Sequence, residues 1–148
     1  MIAVVQRVTF GSVTISGTIV SAIKHGYVIL LGIMHDDTPS DLKKLVQKIV
    51  QLRIMEDSEG KMNHSIRDSG GKILLVSQFT LCADISKGRR PSFIKAMPPA
   101  EANELYNKAI TLFEKEGLEV QTGKFGAKMQ LTIHNDGPVT ILVNSREL

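Results

Sequence analysis

Ser77-Gln78-Phe79-Thr80 is the stretch whose residue types offer chemistry. A continuously apolar run, Ile73 to Val76, stops there at two hydroxyls and an amide. Polar groups at the end of a buried strand need partners, either nearby backbone or a ligand. In an extended chain Ser77, Phe79 and Leu81 share one face, while Gln78 and Thr80 share the other. On that reading Phe79 anchors the strand end and Gln78 and Thr80 project together. Ser77 or Thr80 acting as a nucleophile requires a neighbouring base. His25, His35, His64 and His134 lie in or beside loops and form no motif with either hydroxyl. A triad assembled from distant positions stays open at this point.

Three further segments carry candidate groups. In HNDGPVTILV, His134 to Val143, the residues Asn135, Asp136 and Gly137 read as a hairpin turn with positive φ at the glycine. Pro138 fits that turn poorly, because it removes a donor where a returning strand would begin to pair. The functional alternative is the Gly137–Pro138 peptide bond, since an X-Pro bond is cis at a cost of only about 0.5–1 kcal/mol. A cis bond would aim two adjacent carbonyls as a rigid acceptor site. GKFGAKM, Gly123 to Met129, reads as a bend before a strand or as a close backbone approach to a ligand. Lys87, Arg89 and Arg90 make the densest basic loop, which is either solvated or contacts phosphate.

Other chemistries lack their residues. There is no GxGxxG or GxxxxGK[ST], so no nucleotide cofactor is expected. His35-Asp36-Asp37 has no second ligand pair at useful spacing and the lone Cys82 cannot make a thiolate site, so no metal is expected. Cys82 reads instead as a small buried apolar residue. With one cysteine no intramolecular disulfide can form, which fits a reducing compartment. The N-terminal MIAVVQRVTF is interrupted too soon for a signal peptide, and no apolar run approaches the ~20 residues of a membrane span. The expectation is a cytoplasmic protein without a membrane partner. A net charge of +3 excludes neither a nucleic acid nor a small neutral substrate.

The elements that must position these groups fit one domain over residues 1–148. Ile2 to Val8, Val13 to Ile23 with a turn at Gly17, and Tyr27 to Met34 are rich in β-branched residues and read as strands. Thr38, Pro39 and Asp41 supply N-cap, first helical position and capping box for a helix carrying Leu42, Leu45, Val46, Ile49 and Leu52. Glu56 to Gly71 reads as a loop or hairpin excursion. Lys72 to Asp84 reads as a strand buried on both faces in its first half. A second helix follows Pro98-Pro99 and stops near Gly117. Strands are expected at 118–122, 128–134 and 139–144. The order βββ-α-ββ-α-βββ predicts an α+β fold with largely antiparallel sheets and both helices on one face.

Over nearly its whole length the chain resembles the D-aminoacyl-tRNA deacylase family. The resemblance rests on VVQRV, GYVILLGI, RIMEDSEGKMNHS, VSQFTL, KGRRPSF, GKFGAKM and NDGPVT, with SQFTL and NDGPVT as the diagnostic pair. It implies a barrel-like β/β/α layered fold and a homodimer with active sites at the subunit interface. It also implies hydrolysis of the ester joining a D-amino acid, or glycine, to the terminal adenosine of tRNA. A cis Gly137–Pro138 from one subunit would enter the partner's pocket beside Ser77, Gln78, Phe79 and Thr80, its carbonyls excluding L-amino acids. Phe125 and Met129 are candidates for substrate binding. Lys87, Arg89 and Arg90, which directly follow the SQFTL strand, are candidates for contacts to tRNA phosphates, a reading from their position rather than from the resemblance. Two other readings compete. A noncatalytic RNA-binding module is disfavoured by 5% aromatic residues and no Trp, which leave few stacking platforms. The other is an esterase of small substrates with a Ser or Thr nucleophile.

Overall fold

A computed structural model describes all residues 1–148. The central element is β1 (Ile2–Ile15), long enough to serve two neighbours along one edge. Its first half pairs antiparallel with β3 (Gly26–Gly32), from Ile2↔Gly32 to Val8↔Gly26. Its second half pairs antiparallel with β2 (Thr18–Ile23), from Gly11↔Ile23 to Ile15↔Thr18. Along its other edge both halves pair with β8 (Gln130–Asn144). A small hairpin of β4 (Met55–Glu56) and β5 (Met62–His64) fills part of the expected excursion.

Two pairings in the main sheet are parallel, β3 with β6 (Lys72–Ser77) and β6 with β7 (Val120–Thr122). The reason is connectivity. Helix α1 (Pro39–Gln51) lies between β3 and β6 in the chain, and α2 (Pro99–Lys115) lies between β6 and β7. A parallel pair needs such a crossover. The main sheet is therefore mixed, with its longest pairings antiparallel. It curls on itself, bringing β2 into contact with β6 and β7 and giving the nearly barrel-shaped α+β architecture.

Helix α1 begins where the cap residues place it. Thr38 N donates to Asp41 Oδ2 at 2.8 Å, and Asp41 N donates to Thr38 Oγ1 at 3.3 Å. Its buried stripe, Leu42, Leu45, Val46, Ile49 and Val50, joins Ala102, Leu105, Tyr106, Ala109 and Phe113 of α2 in the larger core. Strand β6 serves two cores at once. Ile73 and Leu75 face the helices, whereas Leu74 and Val76 pack with Val8, Val13, Ile23 and Val28 inside the curl. That is why its apolar run does not alternate with polar residues. No helix is long and apolar enough to cross a membrane.

Candidate active site

The polar end of β6 is not extended. After Ser77 the chain enters a short 3-10 turn, Phe79–Cys82, so the two-faced alternation expected for Ser77 to Leu81 does not form. Gln78 N still donates to Leu31 O at 2.8 Å, and β3 then continues as Gly32. A Cβ at Gly32 would lie 2.8 Å from Leu81 Cβ and 3.1 Å from Gln78 O. Absence of that side chain lets the turn fold back against the strand. Cys82, fully buried, donates from Sγ to Ile33 O at 3.4 Å.

The turn reaches by another route what extension was expected to do for Gln78 and Thr80. Thr80 Oγ1 donates to Gln78 Oε1 at 2.8 Å. Phe79 is not the expected anchor. It is 58% exposed and meets Phe93 edge-on, with centroids 5.0 Å apart. In the turn, backbone curvature swings it outward and leaves Cys82 to fill the space below.

Ser77, Gln78 and Phe79 form one wall of a cavity of about 580 Å³. Met97, Pro98, Pro99 and Ala102 bring the start of α2 to it, and Phe125 and Met129 close another side. The Gly123–Met129 segment is a turn between β7 and β8, with Gly126 at φ 74°. Phe125 rests against Tyr106, 5.7 Å between centroids, and the Tyr106 hydroxyl donates to Leu75 O at 2.7 Å. Burial pushes that phenol far above its ordinary pKa, so it remains a neutral donor. A Cβ at Gly123 would lie 2.5 Å from Met129 Sδ, so the close approach read from this segment is made by Met129 itself.

Twelve of the seventeen lining residues are hydrophobic, and none is an acid, a base or a histidine. Thr80 lies beside the cavity and reaches it only through Gln78. The Phe79 and Thr80 amides donate to no acceptor among the turn, loop and cap bonds, and the first amides of a short helical turn have no acceptor within it. No histidine lines the cavity, and His134 packs against Phe10 with ring centroids 5.3 Å apart.

The Asn135–Pro138 segment is not a hairpin turn. Strand β8 runs through it in one direction, and both of its halves pair antiparallel with β1. Between the pairs Gln6↔Thr140 and Val8↔Asn135, β1 advances two residues while β8 advances five. The surplus is extruded as a bulge. Pro138 is tolerated because no ladder bond is required of it there. Gly137 has φ 115°, and the Gly137–Pro138 bond is cis. Asn135 ties the base of the bulge, accepting from Val139 N at 3.0 Å and donating to Thr140 Oγ1 at 2.7 Å.

Beneath the bulge lies Arg7, a residue for which sequence reasoning found no role. Its side chain is 3% exposed. Nη1 donates to Ile54 O at 3.0 Å, and Nη2 donates to Glu56 Oε1 at 2.7 Å. Nε lies 3.0 Å from Asp136 Oδ2, close enough for an ion pair but not aligned as a hydrogen bond. A Cβ at Gly137 would lie 3.1 Å from Nη2. The one available signal was an arginine within the apolar run of β1, where a buried charge must be paired.

Gly137 and Pro138 are exposed and do not line the cavity of their own protomer. The basic loop is pinched at its base, where Asp84 and Ser92 exchange backbone bonds of 2.8 and 2.9 Å. Ser86 and Lys95 engage the Asp84 carboxylate and hold it well below the usual range. Lys87, Arg89 and Arg90 are exposed, form no ion pair and do not line the cavity.

A family model described as D-Tyr-tRNA(Tyr) deacylase matches residues 4–144. A D-aminoacyl-tRNA deacylase of Thermoanaerobacter sp. is 51% identical over 148 residues, covering 100% of this chain and 99% of the relative. One of Dehalococcoides mccartyi is 53% identical over 147 residues, covering 99% and 96%. A solved structure titled c-Myc DNA Unwinding Element Binding Protein superposes with TM-score 0.92 at 47% identity, covering 97% of this chain and 98% of that one. Another, titled as a probable eukaryotic D-amino acid tRNA deacylase, has TM-score 0.81 at 18% identity over 96% and 97%, a likeness of fold.

Proposed function

The chain belongs to the D-aminoacyl-tRNA deacylase family, and on that premise we propose that it hydrolyses the ester of D-aminoacyl-tRNA, releasing tRNA and the D-amino acid. The observation that carries the proposal is a cavity without any titratable side chain, walled by Ser77, Gln78 and Phe79, with Thr80 hydrogen-bonded to Gln78 behind it. An aminoacyl ester is already activated. What it requires is orientation and stabilisation of the developing oxyanion. The Phe79 and Thr80 amides take the oxyanion. The Thr80 proton is committed to Gln78, so its oxygen presents lone pairs that position water or the ester rather than attack it. The neighbouring ribose 2′-OH assists the water, supplying the proton transfer that no cavity side chain can supply. A Ser or Thr esterase would need a base that the cavity lacks.

Chiral rejection requires a repulsive element, since both enantiomers carry the same groups. In this reading the Gly137 and Pro138 carbonyls of a second protomer meet the substrate α-amino group, and an L side chain would be driven into that backbone. Glycyl-tRNA, without a side chain, is accepted. Exposure of the bulge and its absence from its own cavity favour the second protomer, hence a homodimer. Lys87, Arg89 and Arg90 meet acceptor-end phosphates. A tRNA substrate fits a cytoplasmic site of action.

Hydrolysis of paired D- and L-aminoacyl-tRNA, with a covalent serine inhibitor as control, tests the proposal. D-selective, inhibitor-resistant release is expected. No release, or inhibitor-sensitive release without chiral preference, would overturn it.

A further inference from the structure

A second concavity, of about 400 Å³, lies between the two helices, away from the catalytic cavity. Pro39, Leu42 and Lys43 of α1 face Lys108, Thr111 and Lys115 of α2 across it, with Asn107 at its edge. It has no acid in its lining, and none of the three lysines forms an ion pair anywhere in the molecule. Elsewhere Lys61, Lys72 and Lys95 each hold a carboxylate within 3 Å. Lys108 and Lys115 recur on one stripe of α2, with Thr111 between them. Three like charges converging on a concave surface repel one another, and an anion placed between them relieves that repulsion. The Asn107 amide makes no protein hydrogen bond, and the Thr111 hydroxyl bonds only to the Asn107 carbonyl at 3.3 Å, so both can serve an oxygen-rich ligand.

We infer that this groove takes the phosphodiester backbone of the tRNA acceptor stem, giving the substrate a second hold away from its reacting end. The inference rests on the deacylase reading. Helix α2 links the two sites: Pro99 and Ala102 line the catalytic cavity, and Lys108 to Lys115 line the groove. At 1.5 Å per residue, Lys115 lies about 20 Å along the axis from Ala102. That span is shorter than one turn of B-form DNA, about 34 Å. The axial separation of the two sites on α2 is thus within the length of an acceptor stem whose 3′ end enters the cavity. Lysine on a flexible stem suits such contacts, which position a backbone without reading its sequence.

The test compares the wild type with the triple variant Lys43→Glu, Lys108→Glu and Lys115→Glu on two substrates, D-aminoacyl-tRNA and a D-aminoacyl ester of free adenosine. All three positions are exposed, and a thermal melt confirms folding. KM for the tRNA substrate should rise about tenfold at 0.1 M salt, and the slope of log affinity against log salt should flatten by about 2–3, roughly 0.7–0.9 for each phosphate no longer neutralised. Hydrolysis of the adenosine ester should not change. An unaltered tRNA KM and salt slope would overturn the inference, as would an equal loss on both substrates. Binding of uncharged tRNA reads the groove separately. If the wild type hydrolyses neither ester, the deacylase reading fails; if uncharged tRNA binds wild type and variant alike, the groove fails.

Discussion

The cavity at the end of β6 and the Gly137 bulge hold backbone in fixed positions by opposite means. Around the cavity the positioning bonds are neutral: Tyr106 to Leu75, Thr80 to Gln78, and Gln78 N to Leu31 O. Beneath the bulge a buried guanidinium is shared among a carbonyl and two carboxylates. If the cavity accepts the ester, as proposed, ionic groups in its walls would add nothing to that task. An exposed bulge has too little apolar contact to hold it by packing, and a charged clamp can do so instead. On the proposed mechanism the two regions serve different tasks at one composite site, the cavity orienting the ester and a second protomer's bulge rejecting L side chains.

Breaking the clamp should have the largest effect. Arg7→Leu leaves the Ile54 carbonyl without its donor and two half-exposed acids without their cation, a loss of about 2–4 kcal/mol in chemical denaturation. Its surviving folded enzyme should show a smaller D-over-L preference in kcat/KM. Unchanged selectivity would show that the clamp does not set the bulge.

On the cavity side, Gly32→Ala sets a Cβ against Leu81 Cβ and the Gln78 carbonyl, where backbone must move. A stability loss of about 1–3 kcal/mol is expected, with kcat/KM falling at least about tenfold on the D-substrate. Chiral preference should survive, in contrast to the clamp variant. Tyr106→Phe removes the donor to the Leu75 carbonyl, which should cost about 1–2 kcal/mol in a thermal or urea melt. Phe125 keeps its ring partner, so activity should fall by no more than about threefold.

Thr80→Ala should lower kcat by less than about tenfold, as the positioning role proposed for Thr80 requires. A trapped acyl-Thr80 intermediate would contradict this. The smallest effect concerns pH. With no titratable lining residue, the group changing charge near neutrality is the substrate α-amino group, whose ordinary pKa is about 7.7–8.0. Replacing His25, His35, His64 or His134 by Asn should leave the pH profile of kcat/KM unmoved. A shifted inflection in any one of them would bring that imidazole into the reaction.

Much of the fold was legible because its signals are local. Thr38, Pro39 and Asp41 mark the start of α1 through capping bonds within one turn, and the β-branched runs mark the strands. The site was legible in part. Gln78 and Thr80 do meet, and Phe125 and Met129 do line the cavity. The expected extension at Phe79 failed because Gly32, far off in the chain, makes room for a turn. The expected hairpin at Asn135–Pro138 failed for a similar reason. Asn-Asp-Gly between apolar runs has the same composition whether the chain reverses or merely bulges, and only pairing with β1 on both sides distinguishes the two.

By itself the sequence determined the helices, most strands and the family. These depend on side-chain type, short-range periodicity and nearly full-length motif agreement. Only the tertiary structure decided that β8 passes straight through NDGP, that Phe79 swings outward, that Arg7 clamps the bulge and that three lysines of two helices share one groove. Each of those depends on groups distant in the chain meeting in space, where burial, like-charge repulsion and the room left by a missing Cβ determine the outcome.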